Sequence, residues 1–184
     1  MKYHYKEENY SNQTLILEEE NKNYYNCNFL ETILTKSVFT ECTFTLSVFN
    51  DVQLNNVQFI GCKFQGIDFS VIQTYLSQGL YFKKCLIENS SFIMLEIPES
   101  SFLECSVQNT IIRDSNISES SFEKTQFEKV NFSNCDLQKS NFEQAQGYII
   151  NPVENKITGA EFSYPEVMNI LDSFKIKISY NPPS

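Results

Sequence analysis

Residues 120–142, SSFEKTQFEKVNFSNCDLQKSNF, place an apolar residue at every fifth position, at Phe122, Phe127, Phe132, Leu137 and Phe142. This period matches neither the 3.6-residue repeat of an α-helix nor the two-residue alternation of a flat strand. The same spacing runs through most of the chain in two frames, which together hold 14 of its 16 phenylalanines. The first frame comprises Phe29, Leu34, Phe39, Phe44, Phe49, Leu54, Phe59, Phe64 and Phe69, and the second comprises Phe82, Ile87, Phe92, Ile97, Phe102, Val107, Ile112, Ile117, Phe122, Phe127, Phe132, Leu137 and Phe142.

The position two residues before each of these holds mostly Cys, Ser, Thr or Val. Residues two apart in an extended segment point to the same side, so each five-residue unit has one inner pair and three outward, mostly polar positions. If the chain turns by about a right angle after each unit, four units close a square coil, and stacked coils bring residues 20 apart into register. The pattern therefore predicts an all-β solenoid of about six coils over residues 22–146.

Composition limits the classes of function. The chain is long enough for one domain, and it has six cysteines, one histidine and a formal net charge of −9 with a single arginine. All six cysteines (Cys27, Cys42, Cys62, Cys85, Cys105, Cys135) fall on the small inner position, which indicates reduced packing residues rather than disulfides. We expect no metal, no cofactor, no catalysis and no direct nucleic-acid binding, because ligand motifs, phosphate loops and clustered arginines are missing from the sequence.

The start of the chain contains no apolar segment long enough for a secretory signal, and no run is long enough to span a membrane. We therefore expect a cytoplasmic protein without a membrane partner. The negative charge has two interpretations, which the composition leaves open. It keeps a stacked, apolar protein in solution, or it imitates the charge of a nucleic acid.

The frame is interrupted between Phe69 and Phe82, where the spacing is 13 residues. Three extra residues must leave the wall near residues 70–81 and form either a tolerated bulge or a projecting contact loop. The second alternative places Tyr75, Leu76 and Gln78 at the tip of that loop.

The two ends differ from the repeats. Residues 1–21 are predicted to form an N-terminal cap segment, and residues 147–184 a C-terminal module. Within the module, Ser163 followed by Pro165 and Glu166 is typical of a capping box that starts a helix. The predicted helix has an apolar stripe formed by Val167, Ile170, Leu171 and Phe174. This stripe either closes the end of the solenoid or meets its twin in a homodimer.

Units such as CNFLE (27–31), CKFQG (62–66), CDLQK (135–139) and SNFEQ (140–144) resemble the pentapeptide-repeat family. The resemblance covers residues 22–146 and implies a right-handed quadrilateral β-helix with a short C-terminal helical cap and dimerisation module. The ending GAEFSYPEVMNILDSFKIKI (159–178) resembles the gyrase-protecting subgroup, which includes the Qnr and MfpA proteins. That subgroup implies a head-to-head homodimer that imitates duplex DNA.

The subgroup also implies binding to DNA gyrase, in some members to topoisomerase IV, with relief of quinolones or of a peptide toxin such as microcin B17. Candidate partner-binding carboxylates are expected on two outward surfaces, an early one and a later one. The early surface carries Glu31, Asp51 and Asp68, expected to form one column, and the later one carries Glu96, Glu99, Glu119 and Asp136 against Lys139. The alternative function is a protein–protein interaction scaffold unrelated to topoisomerases.

Overall fold

The structure, a computed structural model, describes residues 4–74 and 79–176, and these form a parallel β-solenoid of about eight coils. Short strands make up the walls, and one 3-10 helix, Glu166–Phe174, follows the last coil. The strands are β1 (Tyr5–Lys6), β2 (Thr14–Leu15), β3 (Glu18–Glu20), β4 (Asn23–Tyr25), β5 (Ile33–Thr35), β6 (Val38–Thr40), β7 (Thr43–Thr45), β8 (Gln53–Asn55), β9 (Gln58–Ile60), β10 (Lys63–Gln65), β11 (Tyr81–Lys83), β12 (Leu86–Glu88), β13 (Ser91–Ile93), β14 (Ser101–Leu103), β15 (Ser106–Gln108), β16 (Ile111–Arg113), β17 (Gln126–Glu128), β18 (Asn131–Ser133), β19 (Asn141–Phe142), β20 (Ile149–Ile150) and β21 (Glu161–Phe162).

Each coil has four sides, which we call faces 1 to 4 in chain order. Face 1 is the sheet β1-β4-β7-β10-β12-β15-β17. Face 2 is β13-β16-β18-β20, extended by bridges through Asn9, Asn28, Val48 and Asp68. Face 3 is β2-β5-β8, followed by bridges through Gln73 and through the column Glu96, Asn116, Asp136 and Lys156. Face 4 contains β3-β6-β9-β11-β14 and β19-β21.

The corners between faces use left-handed backbone at every fifth residue, as Glu99 (φ 58), Glu104 (φ 53), Asn109 (φ 47) and Asp114 (φ 53) do in consecutive corners. A left-handed conformation costs a non-glycine residue roughly 1–2 kcal/mol, so the turn is an imposed feature of the coil rather than a local preference. The predicted right-angle turn therefore has an identifiable backbone cause. Gly147 has a second reason to be glycine, because an added Cβ would lie 2.2 Å from the carbonyl oxygen of Phe127.

The predicted inner columns are present. Ring centroids lie 5.1 Å apart for Phe82 and Phe102, 5.3 Å for Phe102 and Phe122, and 4.7 Å for Phe122 and Phe142. The column continues to Phe162, whose ring lies 5.1 Å from that of Phe142. These side chains form the core, since the phenylalanines of both frames are buried. Stacked rings of one size in each coil keep the rod straight.

The small inner position has a hydrogen-bonding role as well as a packing role. Ser100 Oγ accepts the backbone N–H of Leu80 at 2.8 Å and donates to the carbonyl oxygen of Ile97 at 2.7 Å. Ser115 Oγ likewise accepts the N–H of Leu95 at 3.0 Å. The hydroxyls thus satisfy backbone donors at corners where the strand ladder is interrupted.

The cysteines are buried and free, as the sequence predicts. Cys42, Cys62, Cys85 and Cys105 occupy the same corner in four consecutive coils. The hydrogen bond with Cys105, together with burial, raises the pKa of Cys85 to about 12. Burial also raises the pKa of Cys135. The thiols of Cys85 and Cys135 therefore stay protonated and act as small apolar groups with weak S–H donors.

Stacking begins before residue 22. Tyr5 pairs with Tyr24, and Glu19 pairs with Phe39, so a first coil occupies residues 5–20 within the segment that the sequence predicts as a cap. Its inner side chains are Tyr5, Tyr10 and Leu15, and the next one, Glu19, follows after four residues. The five-residue pattern misses this coil because a glutamate occupies the inner position and the spacing shortens at the open end.

Stacking also continues past residue 146. Ile150 pairs with Phe132, Lys156 bridges to Asp136, and Phe162 pairs with Phe142, which completes a last coil. The inner side chains of this coil are Tyr148, Ile150, Ile157 and Phe162, so their spacing is irregular until the final step of five. The solenoid therefore has about eight coils instead of the six expected.

The interruption lies between faces 3 and 4 of the fourth coil. Phe82 pairs with Phe59, a separation of 23 residues, while Gln73 still bridges to Gln53 at a separation of 20. The three extra residues thus leave the wall after residue 73. The candidate contact residues Tyr75, Leu76 and Gln78 lie outside the described residues.

The capping box expected at Ser163 is wrong. Ser163 Oγ accepts the backbone N–H of Gln144 at 2.8 Å, and the helix begins after Pro165 without a side-chain cap. The helix is 3-10 rather than α. It contacts β20, with Ile170 buried.

Candidate functional site

Outward charge differs strongly between opposite faces of the rod. Face 3 with its two edges comprises residues 12–16, 31–36, 51–56, 71–74, 94–99, 114–119, 134–139 and 154–159. It carries eight carboxylates and three lysines, namely Glu31, Asp51, Glu96, Glu99, Asp114, Glu119, Asp136 and Glu154 against Lys36, Lys139 and Lys156. Face 1 with its edges carries five carboxylates and six lysines, namely Glu7, Glu41, Glu88, Glu104 and Glu128 against Lys6, Lys22, Lys63, Lys84, Lys124 and Lys129.

The carboxylates expected on the later surface lie together on face 3. Asn116 Nδ2 donates to Glu96 Oε2 at 2.9 Å across one coil spacing. Lys156 Nζ lies 3.1 Å from Asp136 Oδ2 in the same column. Part of this surface is therefore neutralised by stacking of opposite charges.

The adjoining edge column contains Glu99, Glu119 and Lys139. Lys139 Nζ lies 2.8 Å from Glu119 Oε1, and this hydrogen bond raises the pKa of Lys139. Among the described lysines and arginine, none lies within ion-pair distance of Glu96 or Glu99. These two carboxylates therefore remain available to a partner.

Glu31 and Asp51 occupy the edge between faces 2 and 3, where Asp51 accepts a hydrogen bond from Gln73 Nε2. Asp68 does not continue their column, which corrects the expectation. The backbone N–H of Asp51 donates to the carbonyl of Val71 at 2.7 Å, so Val71 is the stacked neighbour of Asp51. Asp68 lies on face 2, three residues before this edge.

The carboxylate of Asp68 accepts hydrogen bonds from residues of its own chain. Its Oδ1 accepts the backbone N–H of Ser70 at 2.9 Å and the hydroxyl of Ser91. Partial burial alone would raise the pKa of Asp68, but the hydrogen bonds from Ser91 and Ser70 outweigh it and lower this pKa. The carboxylate is thus used within the fold, between the fourth and fifth coils.

Two carboxylates of face 3 are missing from the sequence-based set, Asp114 and Glu154. Asn134 Nδ2 donates to Asp114 Oδ1 at 2.7 Å, and Asn151 Nδ2 donates to Glu154 Oε1 at 2.8 Å. The sequence does contain an indication of their position. Steps of 20 residues from Met94 lead to Asp114 and then, through Asn134, to Glu154 at the edge between faces 2 and 3.

Part of the apolar stripe of the C-terminal helix packs against the core of its own chain, and part of it faces solvent. Ile170 is buried and Val167 packs against the core of its own chain, whereas Leu171 is half-buried and Phe174 is exposed. Only Leu171 and Phe174 of the predicted dimer interface therefore face outward. Tyr148, under the same end, has a buried hydroxyl, and burial with the nearby Glu166 raises its pKa to about 12.

Residues 4–74 and 79–176 contain no group of three or more His, Cys, Asp or Glu side chains placed to hold a metal ion. In the same part of the chain, no helix has the length and hydropathy needed to cross a membrane.

The family described as pentapeptide repeats matches residues 103–146 with eight copies. No curated protein sequence matches the chain. Among solved structures, the chain is similar to a trypsin-treated form of QnrB1, a plasmid-mediated fluoroquinolone resistance protein, with a TM-score of 0.66 and 14% identity over 95% of this chain and 99% of that chain. It also matches HetL, a pentapeptide-repeat protein involved in heterocyst differentiation regulation in the cyanobacterium Nostoc, with a TM-score of 0.38 and 12% identity over 88% of each chain. The QnrB1 match shows the fold, and with the repeat match it supports the pentapeptide-repeat family.

Proposed function

We propose that the protein is a non-catalytic DNA mimic that binds DNA gyrase through face 3 and protects gyrase from a quinolone or from a peptide toxin such as microcin B17. Topoisomerase IV is a second candidate target. The observation that carries the proposal is the row of eight carboxylates along one side of a straight rod. The shared fold with QnrB1, a fluoroquinolone resistance protein, supports it.

The charge density of face 3 can be compared with that of DNA. Coils stacked about 4.8 Å apart make a rod on the order of 34 Å long. Its carboxylates are then spaced about 4 Å apart along the axis, whereas duplex DNA has one charge per about 1.7 Å. We therefore expect a moderate electrostatic attraction to a basic surface, steep in its salt dependence, that favours rapid association.

The finer features of the subgroup are part of the proposal. They are a right-handed winding of the coils and a head-to-head homodimer through the C-terminal module, which would double the acidic rod. Leu171 and Phe174 are the outward residues of that module. A relation to the microcin B17 immunity protein McbG is suggested by NYYNC at Asn23–Cys27 and by INP at Ile150–Pro152.

The dimer is tested by Leu171→Asp, measured by light scattering against Asp172→Asn as a control on the exposed side of the same helix. A charge in an apolar interface should convert dimers to monomers. A Leu171→Asp protein with the mass of the unaltered dimer would rule out this interface.

The function is tested with purified gyrase in a DNA-cleavage and supercoiling assay, with a fluoroquinolone or microcin B17 present. We expect cleaved DNA to fall at protein concentrations that leave supercoiling largely intact. The double variant Glu96→Gln and Glu99→Gln should weaken protection, because both carboxylates lack an ion-pair partner among the described residues.

The matched control is the double variant Glu41→Gln and Glu143→Gln, whose carboxylates likewise lack an ion-pair partner among the described residues. It changes net charge by the same amount at or beside the edge between faces 4 and 1, outside face 3 and its two edges. Equal loss in both variants would mean that total charge matters and face 3 does not. No effect of the folded parent protein on cleavage or supercoiling would leave the interaction scaffold as the function.

A further inference from the structure

Exposed apolar side chains of the solenoid are concentrated on face 2. Leu46, Val48, Met94, Ile111 and Ile149 are 41–75% exposed on this face or its edges. Val153, also exposed, lies in the turn that leaves face 2 in the last coil. Within the described coils the one large exposed apolar side chain elsewhere is Ile16. An apolar concentration on one side of a rod marks an interaction surface.

We call this row of exposed apolar side chains on face 2 the face 2 stripe, to distinguish it from the stripe of the C-terminal helix. Its length fits an α-helix as the partner. From the third coil, with Leu46 and Val48, to the last, with Ile149, there are five coil spacings, or about 24 Å. An α-helix advances about 5.4 Å per turn and 1.5 Å per residue, so about 16 residues would cover the stripe with nearly one turn per coil. Apolar residues at i, i+3, i+4 and i+7 of such a helix would meet the stripe along its length.

The charges beside the stripe define the partner further. The edge toward face 3 carries Glu31, Asp51, Asp114 and Glu154. The edge toward face 1 is nearly neutral in its described part, with the charged residues Glu7 and Lys129 in the first and seventh coils. Arg113 is the basic side chain of face 2, and its Nε lies 3.7 Å from Asp114 Oδ2. The stripe therefore has an acidic flank on one side only.

We propose that face 2 is a docking surface for a basic amphipathic α-helix of a partner protein. The helix would place its apolar side on Val48, Met94 and Ile111, and a row of Lys or Arg along one flank would meet Asp51, Asp114 and Glu154. This site does not depend on gyrase as the partner. Apolar contacts on face 2 would exclude water from the interface. They would add to the attraction by the carboxylates of face 3, which is sensitive to salt.

The test is fluorescence anisotropy with a labelled designed peptide of about 16 residues, with leucines on one side and lysines on one flank. We expect saturable binding to the full chain. The double variant Met94→Gln and Ile111→Gln should weaken this binding about tenfold or more, since both side chains lie at the centre of the stripe. Ile16→Gln, which removes an equally exposed apolar side chain outside face 2, should leave affinity unchanged.

Two altered peptides separate apolar docking from charge attraction. A peptide with glutamates in place of the lysines should not bind, and a scrambled peptide of the same composition should bind weakly. Equal binding of the scrambled peptide would overturn the proposal, because charge alone would then explain the interaction. It would also be overturned if Ile16→Gln weakened binding as much as the double variant, or if the double variant turned a dimer into a monomer, since a second copy would then occupy face 2.

Circular dichroism of each variant shows that its solenoid is intact, and a variant that fails this control is replaced by Val48→Gln with the same expected loss.

Discussion

Faces 1 and 3 are built from the same backbone and the same interior, yet their outward chemistry is opposite. Both consist of parallel stacked segments with buried Phe, Tyr, Leu, Val or Ile at most inner positions. Face 1 balances five carboxylates with six lysines, whereas face 3 sets eight carboxylates against three. The difference teaches that the two inner positions of each unit determine the fold, while the three outer positions are free to specify a partner.

The largest expected effect concerns the interior that the two faces share. Phe122→Ala removes a buried ring whose centroid lies 5.3 Å from that of Phe102 and 4.7 Å from that of Phe142. We expect a loss of about 3–5 kcal/mol in the free energy of unfolding, because the cavity cannot collapse between stacked coils. Chemical denaturation measures it, with the exposed Gln126→Ala as control. A cost near that of the control would mean that the columns are not the source of stability.

The next effect concerns the small inner position. Ser100→Ala leaves the buried N–H of Leu80 without its acceptor. We expect a loss of about 1–3 kcal/mol in the free energy of unfolding, since an unpaired buried donor keeps its desolvation cost. Ser101→Ala, one residue away and pointing outward from β14, should change stability by less than about 0.5 kcal/mol. Equal stability of the two variants would show that the serine columns matter only for their size.

A smaller effect should separate faces 1 and 3 in binding. Lys139 and Lys156 neutralise Glu119 and Asp136, so the double change to glutamine makes face 3 more acidic. We expect gyrase binding to tighten about three- to tenfold at low salt, and the gain to shrink as salt rises. Lys124→Gln with Lys129→Gln on face 1 changes net charge equally. The comparison of faces fails if this control tightens binding as much.

The difference between inner and outer positions also explains how much of the structure the sequence predicts. The five-residue period predicts the central coils, the inner columns and the free cysteines because buried positions repeat with one chemistry. It misses the first coil, where Glu19 holds an inner position, and the last, where the buried Tyr148 and Ile150 break the spacing. The missed coils lie at the two ends, where an inner residue is covered on one side only and the packing constraint is weaker.

Outer positions are harder to predict because no burial pattern constrains them. The approximate spacing groups Asp68 with Glu31 and Asp51, whereas stacking in register requires steps of 20, which lead to Val71. The same rule would have found Asp114 and Glu154. Ser163 shows a different limit, because its hydroxyl can cap a helix or accept the N–H of Gln144, and the second contact is long-range in sequence.

The smallest expected effect sharpens the distinction between carboxylates that hold the fold and those that face a partner. Hydrogen bonds from Ser91 and Ser70 lower the pKa of Asp68, so its folded pKa lies below its unfolded value. The stabilisation is therefore present above about pH 4, the unfolded pKa of an aspartate, and is lost as pH falls through the folded pKa. Asp68→Asn should lower the free energy of unfolding by less than about 1 kcal/mol at neutral pH, with a smaller difference from the parent near pH 3.

The matched control for this prediction is Asp51→Asn, which lies at the edge of face 3 and is exposed. Denaturation of the Asp68→Asn protein at the two pH values should show the pH-dependent difference. Gyrase binding should fall more for Asp51→Asn than for Asp68→Asn, because Asp51 lies on the surface proposed to bind gyrase while the Asp68 carboxylate bridges two coils through Ser91. A pH-independent cost of Asp68→Asn would mean that the neutral amide cannot accept these hydrogen bonds, and that geometry rather than charge holds this junction of face 2.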